Sequence, residues 1–255
     1  MAARLILIFI AMVALSGCAY NATPTNQHDP WESTNRRVYG FNDALDRRVL
    51  APVASGYATV TPRFVRRGVT NFFNNATYPK VAINSFLQGR GREGFADTGR
   101  FVINTTLGIG GLLDVATPLG LPPRRADFGQ TFAVWGANSG PYLVLPAYGP
   151  STVRESTDIP LGVVVNPLAY LTTWTVSVPL TALYAVNLRA EMDQAARLRE
   201  EAALDPYIFT RSAYLQYRQQ LVRDAESSLD DLYGDEYFDD PFDDFYGDDA
   251  FDEAY

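Results

Sequence analysis

Few residues in this 255-residue chain are of types that perform covalent chemistry. The single cysteine, Cys18, excludes an intrachain disulfide and any multi-cysteine zinc or iron–sulfur site. The single histidine, His28, leaves imidazole catalysis one candidate, far in sequence from any nucleophile. Ser151-Thr152 follows Gly149-Pro150, a place where hydroxyls ordinarily cap turns, and a serine nucleophile would also need a base and an oxyanion site. All but one of the 21 basic residues are arginine, and the one lysine, Lys80, has no GxxxxGK[ST] pattern around it. Gly108-Ile109-Gly110-Gly111-Leu112-Leu113-Asp114 lacks the strand, lysine and hydroxyl residue of a phosphate loop, so its small residues read as a means of close helix packing. No cofactor or metal is expected, and an enzyme becomes the minority reading.

Cys18 does have a chemistry open to it. Arg4 precedes eleven apolar residues, Leu5 to Leu15, then the small pair Ser16-Gly17 and the cysteine. This is the pattern of a secretory signal with a short apolar stretch. At about 1.5 Å per residue that stretch is too short for a hydrocarbon core of roughly 30 Å. Leu15-Ser16-Gly17-Cys18 resembles the bacterial lipobox, which implies removal of residues 1–17 and acylation of Cys18 at its sulfur and its new amine. Several acyl chains anchor a protein where one binds only reversibly. Ala19, standing where lipoproteins kept at the inner membrane have Asp, favours export to the outer membrane by the same resemblance. Residues 18–28 read as an acylated polar tether.

Charge divides the rest. Residues 230–255 contain 12 acids and no base, leaving 17 acids against 21 bases in residues 1–229. The acidic, aromatic tail is predicted to be disordered and dispensable, with an electrostatic influence on a basic partner. An exported chain meets no nucleic acid, so the basic patch Arg63, Arg66, Arg67 has lipid phosphates or solvent to face.

Residues 29–229 must position whatever function exists. Val38, Phe41, Leu45 and Val49 predict an amphipathic helix from Asn35 to Leu50, closed by Pro52. Pro62 opens a second helix with Val65, Val69, Phe72 and Phe73. A third, short one carries Ile83, Phe86 and Leu87 to Gly89, and a fourth runs through Phe95 and Val102 towards Thr106. From Leu107 to Pro167, nine Gly and eight Pro in 61 residues forbid long regular elements, yet the apolar content requires packed, irregular backbone or short broken helices. Leu161 to Leu188 is more apolar still, and Pro167 and Pro179 interrupt it, which predicts interfacial or re-entrant helices over a simple span. Leu180 to Leu204 predicts a helix with i, i+4 pairs Arg189/Asp193 and Arg197/Glu201. After Asp205-Pro206 a second helix carries Tyr214, Tyr217, Leu221 and Val222 on one face, forming a peripheral hairpin with the first.

A series of motifs in fixed order resembles one family, the MlaA (VacJ) outer-membrane lipoproteins. They are Asp29-Pro30-Trp31-Glu32 with Asn35-Arg36 and Phe41-Asn42, Asp46 and Pro52, Asn84 with Leu87-Gln88-Gly89, and Arg100-Phe101-Val102-Ile103-Asn104. They continue through the glycine segment ending Asp114-Val115-Ala116, Phe128-Gly129-Gln130-Thr131 with Trp135-Gly136, Gly140-Pro141-Tyr142 to Leu145-Pro146, Gly149-Pro150-Ser151-Thr152 with Arg154, and Asp205-Pro206-Tyr207. The resemblance implies a mainly α, ring-shaped bundle of amphipathic and interfacial helices with Gly/Pro-rich irregular segments, embedded in the inner leaflet of the outer membrane around a phospholipid channel. It implies association with a porin trimer and transfer of phospholipid to a soluble periplasmic carrier, without covalent chemistry, keeping the outer membrane asymmetric. Irregular backbone at membrane depth is permitted where it lines a cavity or is buried in protein. Candidate channel residues are Asn42 and Asp43, with Gly108, Gly110, Gly111 and Asp114 as wall. The alternatives are a lipid-anchored binder of a hydrophobic ligand and a structural envelope lipoprotein.

Overall fold

The computed structural model describes residues 29–233, so the signal segment, Cys18, the tether and residues 234–255 of the acidic tail lie outside the described residues. The described chain is mainly helical. Helix α1 (Glu32–Leu45) passes through a π-helical turn (Asp46–Leu50) into α2 (Ala51–Val60), then come α3 (Arg63–Leu87) and α4 (Gly91–Thr106). After a glycine-rich loop follow α5 (Phe128–Val134), strands β1 (Tyr142–Leu145) and β2 (Gly149–Thr152), and the short α6 (Val153–Ser156), α7 (Asp158–Val165) and α8 (Pro167–Leu171). The chain then forms α9 (Trp174–Glu191), α10 (Asp193–Ala202) and α11 (Pro206–Tyr233), the last running beyond the predicted start of the tail at Asp230.

Two prolines expected to close or interrupt helices, Pro52 and Pro179, do not, and Pro79 lies within a third helix. Pro52 sits in the first turn of α2, where its missing N–H costs nothing, so the helical path continues past Leu50. Pro79 lies inside α3, which joins the predicted second and third helices into one of 25 residues. Pro179 likewise lies inside α9. An internal proline removes one bond to the carbonyl four residues earlier, and α3 retains its course because Tyr78, Val81 and Ala82 around Pro79 are buried. Pro167 does mark a boundary: the Asn166 side chain accepts from the Leu168 amide at 2.9 Å and starts α8. No helix among the described residues is long and apolar enough to cross a membrane.

The Gly/Pro-rich region contains the predicted short broken helices and also an antiparallel hairpin that the sequence reading did not include, with Tyr142 opposite Thr152 and Leu145 opposite Gly149. Ala147 (φ 59°) and Gly149 (φ 106°) make its turn in the left-handed region. Helices α3 and α4 pair antiparallel, as the bonds Ser85 to Asp97 and Asn75 to Thr105 require. Helix α9 packs on α2 and α3, while α11 packs on α5 and β2. The predicted Arg189/Asp193 pair forms at 3.3 Å, but Arg197 takes Asp193 at 2.9 Å instead of Glu201. The second helix of the expected peripheral hairpin is central at its start, where Tyr207 is buried with Tyr142 and Val144 against Val38, Tyr39 and Tyr214.

At the C-terminal end of α3 and along α4 the faces are inverted relative to a water-soluble bundle, although earlier in α3 Phe73, Ala76, Tyr78, Val81 and Ala82 are buried. Asn84, Ser85 and Gln88 of α3 are buried, whereas Ile83, Phe86 and Leu87 beside them are exposed. In α4 the buried residues are Gly94, Asp97, Arg100 and Asn104, and Phe95 and Val102 face outward. Among residues 29–227 no leucine or isoleucine is buried. Exposed apolar patches of this extent mark a surface that meets another apolar phase or a partner.

Candidate functional site

The residues that carry polar chemistry converge in buried networks. Asp29, whose carboxylate is fully buried, accepts from Asn35 Nδ2 at 2.8 Å, from Arg211 Nη1 at 2.9 Å and from the Tyr207 hydroxyl. Asn35 also donates to the Tyr142 carbonyl at 3.0 Å and accepts from the Val144 amide at 2.9 Å, fixing β1 to α1. Asp205 caps α11 by accepting from the amides of Tyr207 and Ile208 at 2.9 and 3.2 Å. The Arg36 guanidinium then stacks on the Tyr207 ring, 4.4 Å from its centre. Burial and the neighbouring Asp29 carboxylate push the Tyr207 hydroxyl far above its usual range, so it remains a proton donor.

A second network fills the α3–α4–α5 junction. Thr131 donates to Asn84 Oδ1 at 2.6 Å and accepts from Gln88 Nε2 at 2.9 Å, and Gln88 Oε1 accepts from Arg90 at 2.6 Å. Asp127 starts α5 with a reciprocal capping box to Gln130 and receives both Nη atoms of Arg218 at 2.6 and 2.9 Å. Burial alone would raise its pKa, but the bonds and charge of Arg218 outweigh that and hold the carboxyl below the usual range. Lys80 pairs with Asp158 at 2.7 Å, and Asp158 also accepts from the Phe128 amide. These groups bind one another; their geometry is that of a scaffold.

The sequence-predicted site residues fall into two sets that share no partner among the described residues. Asn42 donates to the Leu145 carbonyl at 2.9 Å and accepts from the Ala147 amide at 2.8 Å, so it clamps the hairpin turn. Asp43 faces the other way, pairing with Arg47 at 2.8 Å and Arg199 at 3.5 Å. Asp114 receives Arg100 at 2.7 Å, Asn104 Nδ2 at 3.2 Å and the Thr117 hydroxyl at 2.6 Å. Asn104 Oδ1 accepts from the amides of Val115 and Ala116, both at 2.9 Å. A Cβ on Gly108 would strike the carbonyl oxygens of Leu113 and Asn104, and one on Gly111 would lie 2.6 Å from Asn75 Cβ. Gly110 and Gly111 have φ of 67° and 92°. The pinned loop therefore presents Leu107, Ile109, Leu112 and Leu113 outward, all exposed. Sequence reasoning selected the backbone of this loop and missed the leucines it displays, although their alternation with glycine was the available signal.

Apolar exposure continues along α7–α9 through Val163, Val164, Tyr170, Leu171, Trp174 and Val178. Against α9 lies a shallow hollow of about 390 Å³ lined by Ser177, Val178, Thr181, Ala182 and Ala185. A more polar cavity of about 540 Å³ lies between the π-helical turn and α9–α10, with Asp46, Arg47, Arg189, Asp193 and Arg197 among its walls.

Comparison with known proteins matches residues 27–221 to the family model of the MlaA lipoprotein. The chain belongs to the MlaA family. A lipoprotein MlaA of the intermembrane phospholipid transport system in Escherichia coli K12 is 35% identical over 230 residues, covering 88% of this chain and 90% of that protein. Its counterpart in Haemophilus influenzae is 34% identical over 242 residues, covering 88% and 94% of the two chains. A solved chain from work on the structural basis for maintenance of bacterial outer membrane lipid asymmetry superposes with a TM-score of 0.68 at 34% identity, covering 76% of this chain and 98% of its own. The MlaA match contains the Asp29 network, both sets of candidate residues and the exposed α7–α9 face, and it ends before the acidic tail.

Proposed function

We propose that this chain is an outer-membrane lipoprotein that takes phospholipid from the outer membrane and passes it to a soluble periplasmic carrier, maintaining lipid asymmetry through a channel and without covalent chemistry. The inversion at the end of α3 and along α4 carries the reading: Asn84, Ser85, Asp97, Arg100 and Asn104 lie inside while Ile83, Phe86, Leu87, Phe95 and Val102 face outward. Such a body is suited to an apolar surround that crosses no bilayer, since leaflet burial needs no spanning helix. Cys18 acylation holds the chain on the periplasmic side, and a porin trimer supplies a protein wall against part of the exposed surface. The loop from Gly108 to Asp114 forms lipid-path wall through its leucines, with Asn42 and Asp43 positioning the neighbouring hairpin and α10.

Membership of a family of named phospholipid-transport lipoproteins and the fold match support this reading. Reconstitution decides it: vesicles holding the acylated chain should release labelled phospholipid to an added soluble carrier, and vesicles without it should not. Equal release from both would reject transport. A Cys18→Ala chain that stays soluble without detergent would favour the anchored ligand binder or the structural lipoprotein.

A further inference from the structure

The start of α3 is charged against its own dipole. A helix N-terminus carries about half a positive charge and favours acids in its first turn. Helix α3 has no acid there and no side-chain cap, since Pro62 precedes it. It places Arg63, Arg66 and Arg67 in its first five residues, with Arg63 and Arg67 one turn apart, where like charges repel. Among the described residues none of the three guanidiniums meets a carboxylate, and the buried Nε of Arg66 has no hydrogen-bond partner. Other arginines are paired, including Arg36, Arg90, Arg100, Arg189 and Arg211. Phe64, 76% exposed, stands among the three, and Val60, 79% exposed, lies just before them. The patch is cationic and apolar together, and its complement is a strand of acids and aromatics.

This chain contains such a segment. Residues 234–255 hold ten acids, seven aromatics and no base, beyond the end of the family match at residue 221. We propose that residues 234–255 dock on the Arg63–Arg66–Arg67 patch, carboxylates on the guanidiniums and aromatics on Phe64 and Val60. Fully extended, 22 residues span up to about 70 Å. Tethering supplies an effective concentration on the order of millimolar, at which three exposed ion pairs reach occupancy only together with the burial of Phe64 and Val60 by the tail's aromatics. The docked tail would cover the patch against anionic lipid phosphates, which makes it a competitor of the membrane for the same arginines. The inference is independent of lipid transport and is read without any transfer assay.

The test places a photo-crosslinker in the full acylated chain, Phe245→p-benzoylphenylalanine, in zwitterionic detergent, and maps the adducts by mass spectrometry. Intramolecular adducts on residues 60–67 are expected. Arg63→Ser/Arg66→Ser/Arg67→Ser should reduce them about tenfold, the loss that three exposed pairs would give. So should 1 M salt, where the Debye length falls to about 3 Å. If the triple variant loses its helical circular dichroism, the salt titration of the unsubstituted chain decides alone. Adducts elsewhere in the chain, adducts on a second copy that vanish on dilution, or adducts undiminished by salt would overturn the proposal. Adducts formed only with added phosphatidylglycerol vesicles would assign the patch to lipid instead, and would overturn it equally.

Discussion

The interior around Asp29 and the surface of α7–α9 use opposite chemistry. Around Asp29, three segments distant in sequence, residues 29–36, β1 and the start of α11, are joined by hydrogen bonds through Asn35, Tyr207 and Arg211 in a buried site. Along α7–α9, Tyr170, Leu171 and Trp174 are exposed. Charge-assisted bonds are directional and about twice as strong as neutral ones, so they specify one arrangement of helices. Apolar surface is non-directional and gains free energy wherever water is removed. The difference teaches that directional polar contacts join distant segments inside this protein beside a small aromatic core, while a large share of its apolar residues is left for the surroundings.

The sharpest way to break this contrast is to remove Asp29. Asp29→Ala strands the Arg211 guanidinium and the Tyr207 hydroxyl in a buried site, which should cost about 3 to 5 kcal/mol. Denaturant unfolding in detergent should show a lower midpoint, and an unchanged midpoint would refute the scaffold role.

Asp127 should come next, at roughly 2 to 3 kcal/mol for Asp127→Asn, because its pair with Arg218 retains some solvent access. Its sign with pH is fixed by its lowered folded pKa. The stabilisation is complete above the unfolded carboxyl value of about 3.9 and is lost as pH falls through the lower folded value. Unfolding measured down the acid limb should therefore be steeper for the unsubstituted chain than for Asp127→Asn.

Gly111→Ala tests the loop that joins interior to surface. It demands φ near 92° from a residue with a Cβ and presses that atom on Asn75, so a loss of roughly 2 kcal/mol is expected. Lipid release should fall with it, because the displayed Leu112 and Leu113 shift; release unchanged at full destabilisation would separate the loop from the lipid path.

How much of this was legible in the sequence follows from the same inversion. Apolar periodicity placed helices at α1, α3 and α4, though it split α3 in two, since spacing depends only on helical pitch. It does not by itself say which way Phe86 and Phe95 face, because the rule that apolar residues go inward assumes water outside. Asn84 and Thr131 were unreadable as partners: a hydrogen bond across 47 residues leaves no local pattern. The capping box at Asp127-Phe128-Gly129-Gln130 and the turn chemistry at Tyr148-Gly149-Pro150 were local signals of α5 and of the hairpin, and both were available.

The smallest effect on stability should come from the surface itself. Leu171 and Trp174 are 79% and 76% exposed, so Leu171→Ser/Trp174→Ser removes side chains that the folded body hardly buries. Surface changes of this kind ordinarily stay within about 0.5 kcal/mol, and the unfolding midpoint in detergent should not move measurably. Membrane affinity should respond instead, since each large apolar side chain taken from water contributes about 2 kcal/mol, or more than tenfold in partitioning. Acylation would mask that change, so the double variant is best compared in a Cys18→Ala background by vesicle flotation. A clear loss of flotation at constant stability would show that α7–α9 meets lipid. Lost stability with unchanged flotation would mean that these side chains pack within the protein, and the contrast between interior and surface would fail at its outer half.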